Sequence, residues 1–413
     1  MNFIMTIYSN KITAIHKFLV FSLIFLVLIY PTIFVGAKLI LLCYLLLAQY
    51  IYFARSGKGC IKDLVFIICP SVVGAIYCFW GQLNDAPGAI SCIPVFVLYP
   101  LLFGFLARTV DEGQLKWLDG CLTFIFSFAA LYVLMYFLTL NTGFNKYIYV
   151  GDEATFGLYD GYTKLSFPLL ALLNYSGTYL VCKLYLERDF TKKILITFSF
   201  FLTVAAIIVT GRRATWVVLL FSCFAYLYLC YRDGLLLRSF TKGVLIFFGL
   251  SSFFVIYFDI DVVYLFQHLS DGFSFSSMDD GGSSFERGAQ FKALMQGFYD
   301  SPLIGHGIGA TARMYGSLRS IDQPWAYELV YVDLLFCLGI VGFCFYFSYV
   351  FYSFSRLLRF FHDDKFSGVA IPVFFSGIGF FIASATNPYL LKFDYMFVVF
   401  LPLFVLFAGE GKK

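Results

Sequence analysis

Arg212 and Arg213 stand side by side in "IIVTGRRATWVV", in a short break between two apolar runs. A guanidinium fork binds phosphate through paired N–H groups. Gly211 lets a new helix begin near Ala214, and the dipole at that helix N-terminus adds to the same positive field. The pair reads as an anion site; the alternative is two arginines snorkelling to a membrane interface. A third guanidinium, Arg287, lies in "SFERGAQFKALMQGFYD". Ser283-x-x-Glu286 is a capping box that opens a helix there. At about 100° per residue, Phe291, Leu294 and Phe298 fall within about 40° of Arg287, and Lys292 points away. Arg287 therefore leads the apolar face and requires an anion, either a ligand or a buried carboxylate.

A base would come from a different segment. Glu328, in "AYELVYVD", is expected in the first turn of a later apolar helix. An ionisable group at the edge of a membrane span is a functional candidate, here as a general base. The alternative is an acid favourably placed at a helix N-terminus. Asp333 lies deeper, about 140° round the helix, and reads as a structural partner. In "DSPLIGHGIG", Pro302 stops the preceding helix, and Gly305, Gly307 and Gly309 allow a tight turn. A phosphate-binding P-loop needs a Lys-Ser/Thr pair and a preceding strand, and this stretch has neither. His306 is read as a loop residue, with a general base as the alternative. Arg313, Arg319 and Tyr331 complete the set of candidate side chains.

The elements that must hold these residues are apolar helices. Of 413 residues 61% are hydrophobic and 13% charged, where a soluble domain carries about 25% charged residues. Twelve runs approach the length that spans a bilayer: 18–36, 38–54, 64–80, 89–107, 118–140, 165–182, 194–210, 214–231, 243–258, 327–354, 366–386 and 393–409. Only helices or closed barrels satisfy the backbone in lipid, and the alternating strands of a barrel are absent. An all-α polytopic membrane protein with about 12 transmembrane helices is expected. The first run is too long for a cleaved signal sequence and is read as a retained helix. Eleven cysteines fall in apolar spans or a short loop, so neither a disulfide framework nor a cysteine zinc site is supported.

Placing both termini in the cytoplasm puts nineteen of the 29 lysines and arginines in inner segments and ten outside, as the positive-inside bias requires. Arg212 and Arg213 then lie on the outer side, where they cannot be topology anchors. Two outer segments are long. Residues 141–164 mix glycine, tyrosine and acids, a composition suited to sugar rings as well as to an ordinary polar loop. Residues 259–326 hold the Ser/Gly/Asp tract, the amphipathic helix near 284–300 and the glycine turn. The chain divides into residues 1–258 with nine spans, the loop 259–326, and residues 327–413 with the last three spans.

Three stretches over residues 207–342 resemble the O-antigen polymerase and ligase (Wzy/WaaL) superfamily of bacterial inner membranes. They are "TGRRATW", "ERGAQFKALMQGFYDSPLIGHGIG" and "YELVYVDLLFCLGIVG", in the family's order. The N-terminal half is similar in hydropathy alone. The resemblance implies a GT-C-like helical bundle with a long helical periplasmic loop between the ninth and tenth spans. It also implies transfer of a glycan from undecaprenyl pyrophosphate at the periplasmic face. Arg212, Arg213 and Arg287 would then hold the pyrophosphate, and Glu328 would take the acceptor proton. Many members, the ligases above all, carry His-Asn eleven residues before the helix glycine; counting back from Gly339 reaches Glu328 and Leu329. That departure favours a polymerase over a ligase acting on lipid A-core.

No cofactor or metal is expected, because Arg212, Arg213 and Arg287 would carry the pyrophosphate charge; the adjacent Asp279 and Asp280 sit in the flexible tract. The expected partners are lipid-linked glycans and membrane lipids, with a chain-length regulator as a further candidate and no nucleic acid. A lipid-linked oligosaccharide flippase is the rival of a different class. It would show related halves with broken midplane helices, and the sequence shows no such repeat.

Overall fold

The computed structural model describes residues 2–31, 33–56, 61–110, 112–140, 142–148, 155–159, 162–234, 283–312 and 323–410. Nearly every element is a helix, as long apolar blocks require when no water is present to bond the backbone. In chain order these are α1 (Asn2–Ile29), α2 (Val35–Ser56), α3 (Ile61–Leu83), α4 (Tyr99–Leu106) and α5 (Glu112–Thr139). After a hairpin come α6 (Leu173–Leu186), α7 (Phe190–Thr210), α8 (Arg213–Arg232) and α9 (Ser283–Asp300). The chain ends with α10 (Val330–Tyr346), α11 (Ser348–Leu357), α12 (Ser367–Ser384) and α13 (Phe393–Glu410). Among the described residues, 6 helices are long and apolar enough to cross a membrane, and further shorter apolar helices accompany them. The protein is a polytopic membrane protein. The expected ninth span, 243–258, and the Ser/Gly/Asp tract with Asp279 and Asp280 lie outside the described residues.

The hairpin is the exception to an all-helical reading. Strands β1 (Thr155–Tyr159) and β2 (Tyr162–Ser166) pair antiparallel with Tyr159 opposite Tyr162. The sequence between them is Asp-Gly, a dipeptide that favours two-residue hairpin turns. β2 ends at Ser166, next to Leu165, which is fully buried.

α6 is the central helix and is buried from Leu173 to Lys183. Its small residues Ser176, Gly177 and Thr178 let neighbours approach closely, the usual device for helix packing in lipid. Thr178 and Ser222 on α8 share a hydrogen bond of 2.8 Å. On α12, a Cβ at Gly379 would meet Thr178 Oγ1 at 3.1 Å and Val218 at 3.1 Å. α12 is therefore held tightly against α6 and α8.

Charged groups gather at the two ends of the bundle. At one end Lys183 donates to Asp119 at 2.7 Å, and Tyr179 donates to the same carboxylate at 2.5 Å. Lys365 pairs with Glu112 there, and Arg108 lies over the Phe407 ring. At the opposite end the start of α2 meets the start of α13 through a buried Lys38–Asp394 pair of 2.5 Å. Lys38 also donates to the Tyr30 carbonyl at 2.7 Å, which helps offset the cost of burying the ammonium.

The expected tenth span, 327–354, is not one continuous helix. α10 is broken at Gly339, where φ is 61° and ψ is −177°. The glycine turn fills the break. His306 and Gly307 donate their N–H groups to the carbonyls of Phe336 and Cys337, and Ile340 and Val341 donate to Pro302 and Leu303. Gly305, Gly307 and Gly309 all have positive φ, and a Cβ on Gly307 would meet the Gly81 Cα at 2.3 Å. The turn is thus wedged backbone against backbone between α3 and the two halves of α10. Broken helices survive at membrane depth only when neighbouring protein groups satisfy the freed backbone in this way.

Candidate functional site

Arg212 is the N-cap of α8, in extended backbone, immediately after Gly211 ends α7 in the left-handed region at φ 63°. Thr215 closes the cap by donating N–H and hydroxyl to the Arg212 carbonyl, at 3.2 Å and 2.6 Å. The guanidinium reaches away from α8. Its Nη2 donates to Ser166 Oγ at 2.8 Å, its Nη1 to the Tyr389 hydroxyl at 3.0 Å and its Nε to the Leu165 carbonyl at 3.4 Å. All three acceptors are neutral, and none of Arg212's partners among the described residues is a carboxylate. Arg213 is the first residue of α8, and no acid stands in that helix's first turn. Arg212 and Arg213 thus stand at a helix N-terminus, where the backbone dipole favours an anion.

Arg287 has found the carboxylate it needs. Its Nε donates to Glu328 Oε2 at 2.8 Å, and both side chains are partly buried. The contact uses one edge of the guanidinium; among the described residues its Nη groups make no hydrogen bond. Glu328 does not stand in the first turn of a helix as expected. α10 begins at Val330 with Leu329 as its N-cap, so Glu328 lies just before it. Its backbone N–H donates to Gln290 Oε1 at 3.0 Å. α9 therefore grips this position twice, by Arg287 on the side chain and Gln290 on the backbone.

The docking face of α9 also departs from expectation. Glu286, Gln290 and Leu294 form its buried stripe, while Phe291 is exposed and Phe298 is half-buried. The stripe advances four residues at a time, one helical turn per step. Gln290 is 1% exposed because its amide carbonyl has a backbone donor to satisfy. A polar residue in the stripe and an aromatic outside it displaced the face read from hydropathy. Lys292 points outward, as its position on the helix predicted.

The two arginine positions connect through the last turns of α12. Tyr331, one turn beyond Glu328, donates its hydroxyl to the Phe381 carbonyl at 2.6 Å. The Tyr389 ring packs on the adjacent Phe380 with centroids 5.9 Å apart. A continuous path therefore runs from Arg287 through Glu328, Tyr331, Phe381, Phe380 and Tyr389 to Arg212.

His306 takes a structural place. Its Nε2 bonds the Gly297 carbonyl at 2.7 Å and its ring lies 4.8 Å from Phe336, so it ties the end of α9 to α10. The N–H groups of Gly305, His306, Gly307 and Ile308 are spent on protein carbonyls, which argues against a phosphate cradle there. Asp333 is buried and accepts from the Cys337 thiol at 3.4 Å. Arg313 and Arg319 lie outside the described residues. Three groups escaped sequence reasoning: Ser166, Gln290 and Tyr389. Gln290 sits one turn after Arg287 and could have been suspected from that spacing. Ser166 and Tyr389 come from distant segments with no pattern that links them to Arg212. Among the described residues, no three His, Cys, Asp or Glu side chains gather to hold a metal ion.

Residues 198–347 match the family model described as O-Antigen ligase, Wzy_C. The stretch carries a Wzy_C domain, consistent with the O-antigen polymerase and ligase superfamily. It contains Arg212, Arg213, Arg287, His306, Glu328 and Tyr331, whereas Ser166 and Tyr389 fall outside it. Members of the family are enzymes of glycosyltransferase and ligase type. No curated protein matches the chain.

Proposed function

We propose that the protein is an O-antigen polymerase that joins undecaprenyl-pyrophosphate-linked repeat units at the periplasmic face of the bacterial inner membrane, with both termini cytoplasmic. The donor is the growing glycan on undecaprenyl pyrophosphate. The acceptor is a hydroxyl of a single lipid-linked unit. The acceptor oxygen forms the new bond to the anomeric carbon as the bond to the pyrophosphate oxygen breaks. The leaving pyrophosphate keeps that electron pair, and the acceptor proton passes to the Glu328 carboxylate.

The observation that carries this reading is the two-edged use of Arg287. One edge of the guanidinium holds Glu328 at 2.8 Å, and the other is left to a phosphate. A single planar group can then fix the base relative to the leaving group, the kind of positioning on which transfer rates depend. Arg212 and Arg213, at the N-terminus of α8, whose first turn carries no acid, supply further positive charge for the diphosphate. With arginines in this role the reaction needs no metal, and activity is expected to survive a chelator. Metal-restored activity would contradict the arginine clamp.

The family description favours a second reading, an O-antigen ligase that transfers the glycan to lipid A-core. Glu328 in the place where ligases carry histidine supports the polymerase instead. A deletion strain separates the two by gel analysis of its lipopolysaccharide. Loss of a polymerase leaves lipopolysaccharide capped with a single unit, and loss of a ligase leaves none attached. A flippase would instead leave lipid-linked units on the cytoplasmic leaflet.

A further inference from the structure

We infer that Tyr389, with Ser166, is a positioning residue that aims Arg212 at the donor diphosphate while leaving its charge intact. The inference rests on the reading of Arg212 as a diphosphate ligand. Both residues lie outside the matched family domain, in segments distant from each other in sequence, and they meet on one guanidinium.

A guanidinium at a bundle end has many rotamers, and the side chain carries about 2 kcal/mol of rotamer entropy. Fixing it before a ligand arrives removes that cost from binding. A carboxylate would fix it too, but would also cancel the charge that the ligand needs. Hydroxyls fix it without that loss. Arg212 is held at 3.0 Å by Tyr389 and at 2.8 Å by Ser166, with a carbonyl completing the set. Tyr389 is itself well fixed. It is buried, and its ring packs on Phe380 at 5.9 Å and on Tyr395 at 5.6 Å. Phe380 belongs to α12, which is locked against α6 and α8 at Gly379. The neighbouring Phe381 carbonyl holds Tyr331 at 2.6 Å, close in sequence to Glu328. The last turns of α12 therefore act as a rigid spacer between the Arg212 and Arg287 positions, and Tyr389 is the strut on the Arg212 side.

The test is a double-mutant cycle on the full-length protein in lipid nanodiscs, with undecaprenyl pyrophosphate as the probe and thermal unfolding as the control. Tyr389→Phe keeps the ring packing and removes the hydroxyl. It is expected to weaken diphosphate binding about tenfold, the effect of one hydrogen bond to a charged group. In an Arg212→Ala background the same change should cost nothing further. Ser166→Ala is expected to behave alike, and it carries the test if Tyr389→Phe fails to fold. Wild-type affinity in both Tyr389→Phe and Ser166→Ala overturns the inference, as does an equal loss in the presence and absence of Arg212. If Arg212→Ala binds like wild type, the diphosphate role of Arg212 falls as well. If Arg212→Ala is weak while the hydroxyl variants are normal, only the positioning role falls.

Discussion

Arg212 and Arg287 are the same side chain put to different use. Arg212 bonds a serine hydroxyl, a tyrosine hydroxyl and a carbonyl, so it is immobilised and keeps its charge. Arg287 bonds a carboxylate through Nε, so it shares its charge with Glu328 and keeps one edge open. At the far end of the bundle, Lys183 and Lys365 are each paired with a carboxylate. The contrast teaches that hydrogen-bond count does not identify a ligand-binding arginine. What matters is whether its partners are charged and which edge they occupy. Arg212 reads as a fixed receptor, and Arg287 as a bridge between ligand and base.

The comparison can be broken most forcefully by removing each guanidinium. Arg287→Ala deletes the bridge to Glu328. Arg212→Ala deletes the receptor. Each is expected to abolish polymer, leaving only lipid-linked single units while the protein still inserts; a gel of surface polysaccharide from a complemented deletion strain reads the result. Normal ladders from both variants would remove the clamp. Glu328→Gln sharpens the contrast, because it keeps a hydrogen-bond acceptor for Arg287 but no longer accepts a proton. Turnover should fall about 10²–10⁴-fold with donor binding retained, and near-wild-type turnover would make Glu328 structural.

Two smaller effects separate the site from its scaffold. Gly307→Ala places a Cβ at 2.3 Å from the Gly81 Cα and should prevent the turn from seating in the α10 break. The expected loss is of folded protein, measured by yield and thermal unfolding, and not of activity per folded molecule alone. Asp119→Asn, at the opposite end, leaves Lys183 without its anion and should cost about 3–5 kcal/mol of stability. Its donor affinity at a permissive temperature should be unchanged. Phe291→Ala is expected to stay within about 0.5 kcal/mol of wild type in an unfolding measurement, because the ring is exposed. A large loss would restore Phe291 to the docking face that hydropathy suggested.

These outcomes bear on how much was legible in the residues themselves. Apolar runs announce helices because lipid allows few other backbone solutions, and the capping box at Ser283 marks where α9 starts. Arg212, Arg287 and Glu328 stood out because charges at the ends of apolar helices are costly. The contacts among them could not be read, since pairing across 41 residues in sequence depends on how α9 docks. The break in α10 was hidden because "LGIVG" looks helical in hydropathy, and only the incoming turn makes the positive-φ backbone at Gly339 favourable. Tyr389 was one tyrosine among 30, and nothing local distinguishes the one that meets Arg212.

The central claim is that Arg212 and Arg287, from separate segments, hold one diphosphate. Its most direct test compares undecaprenyl pyrophosphate affinity across wild type, Arg212→Ala, Arg287→Ala and the double variant. The account predicts that each single variant loses most of the binding and that the double loses less than the two losses added together, because one ligand is shared. Wild-type affinity in either single variant would contradict it.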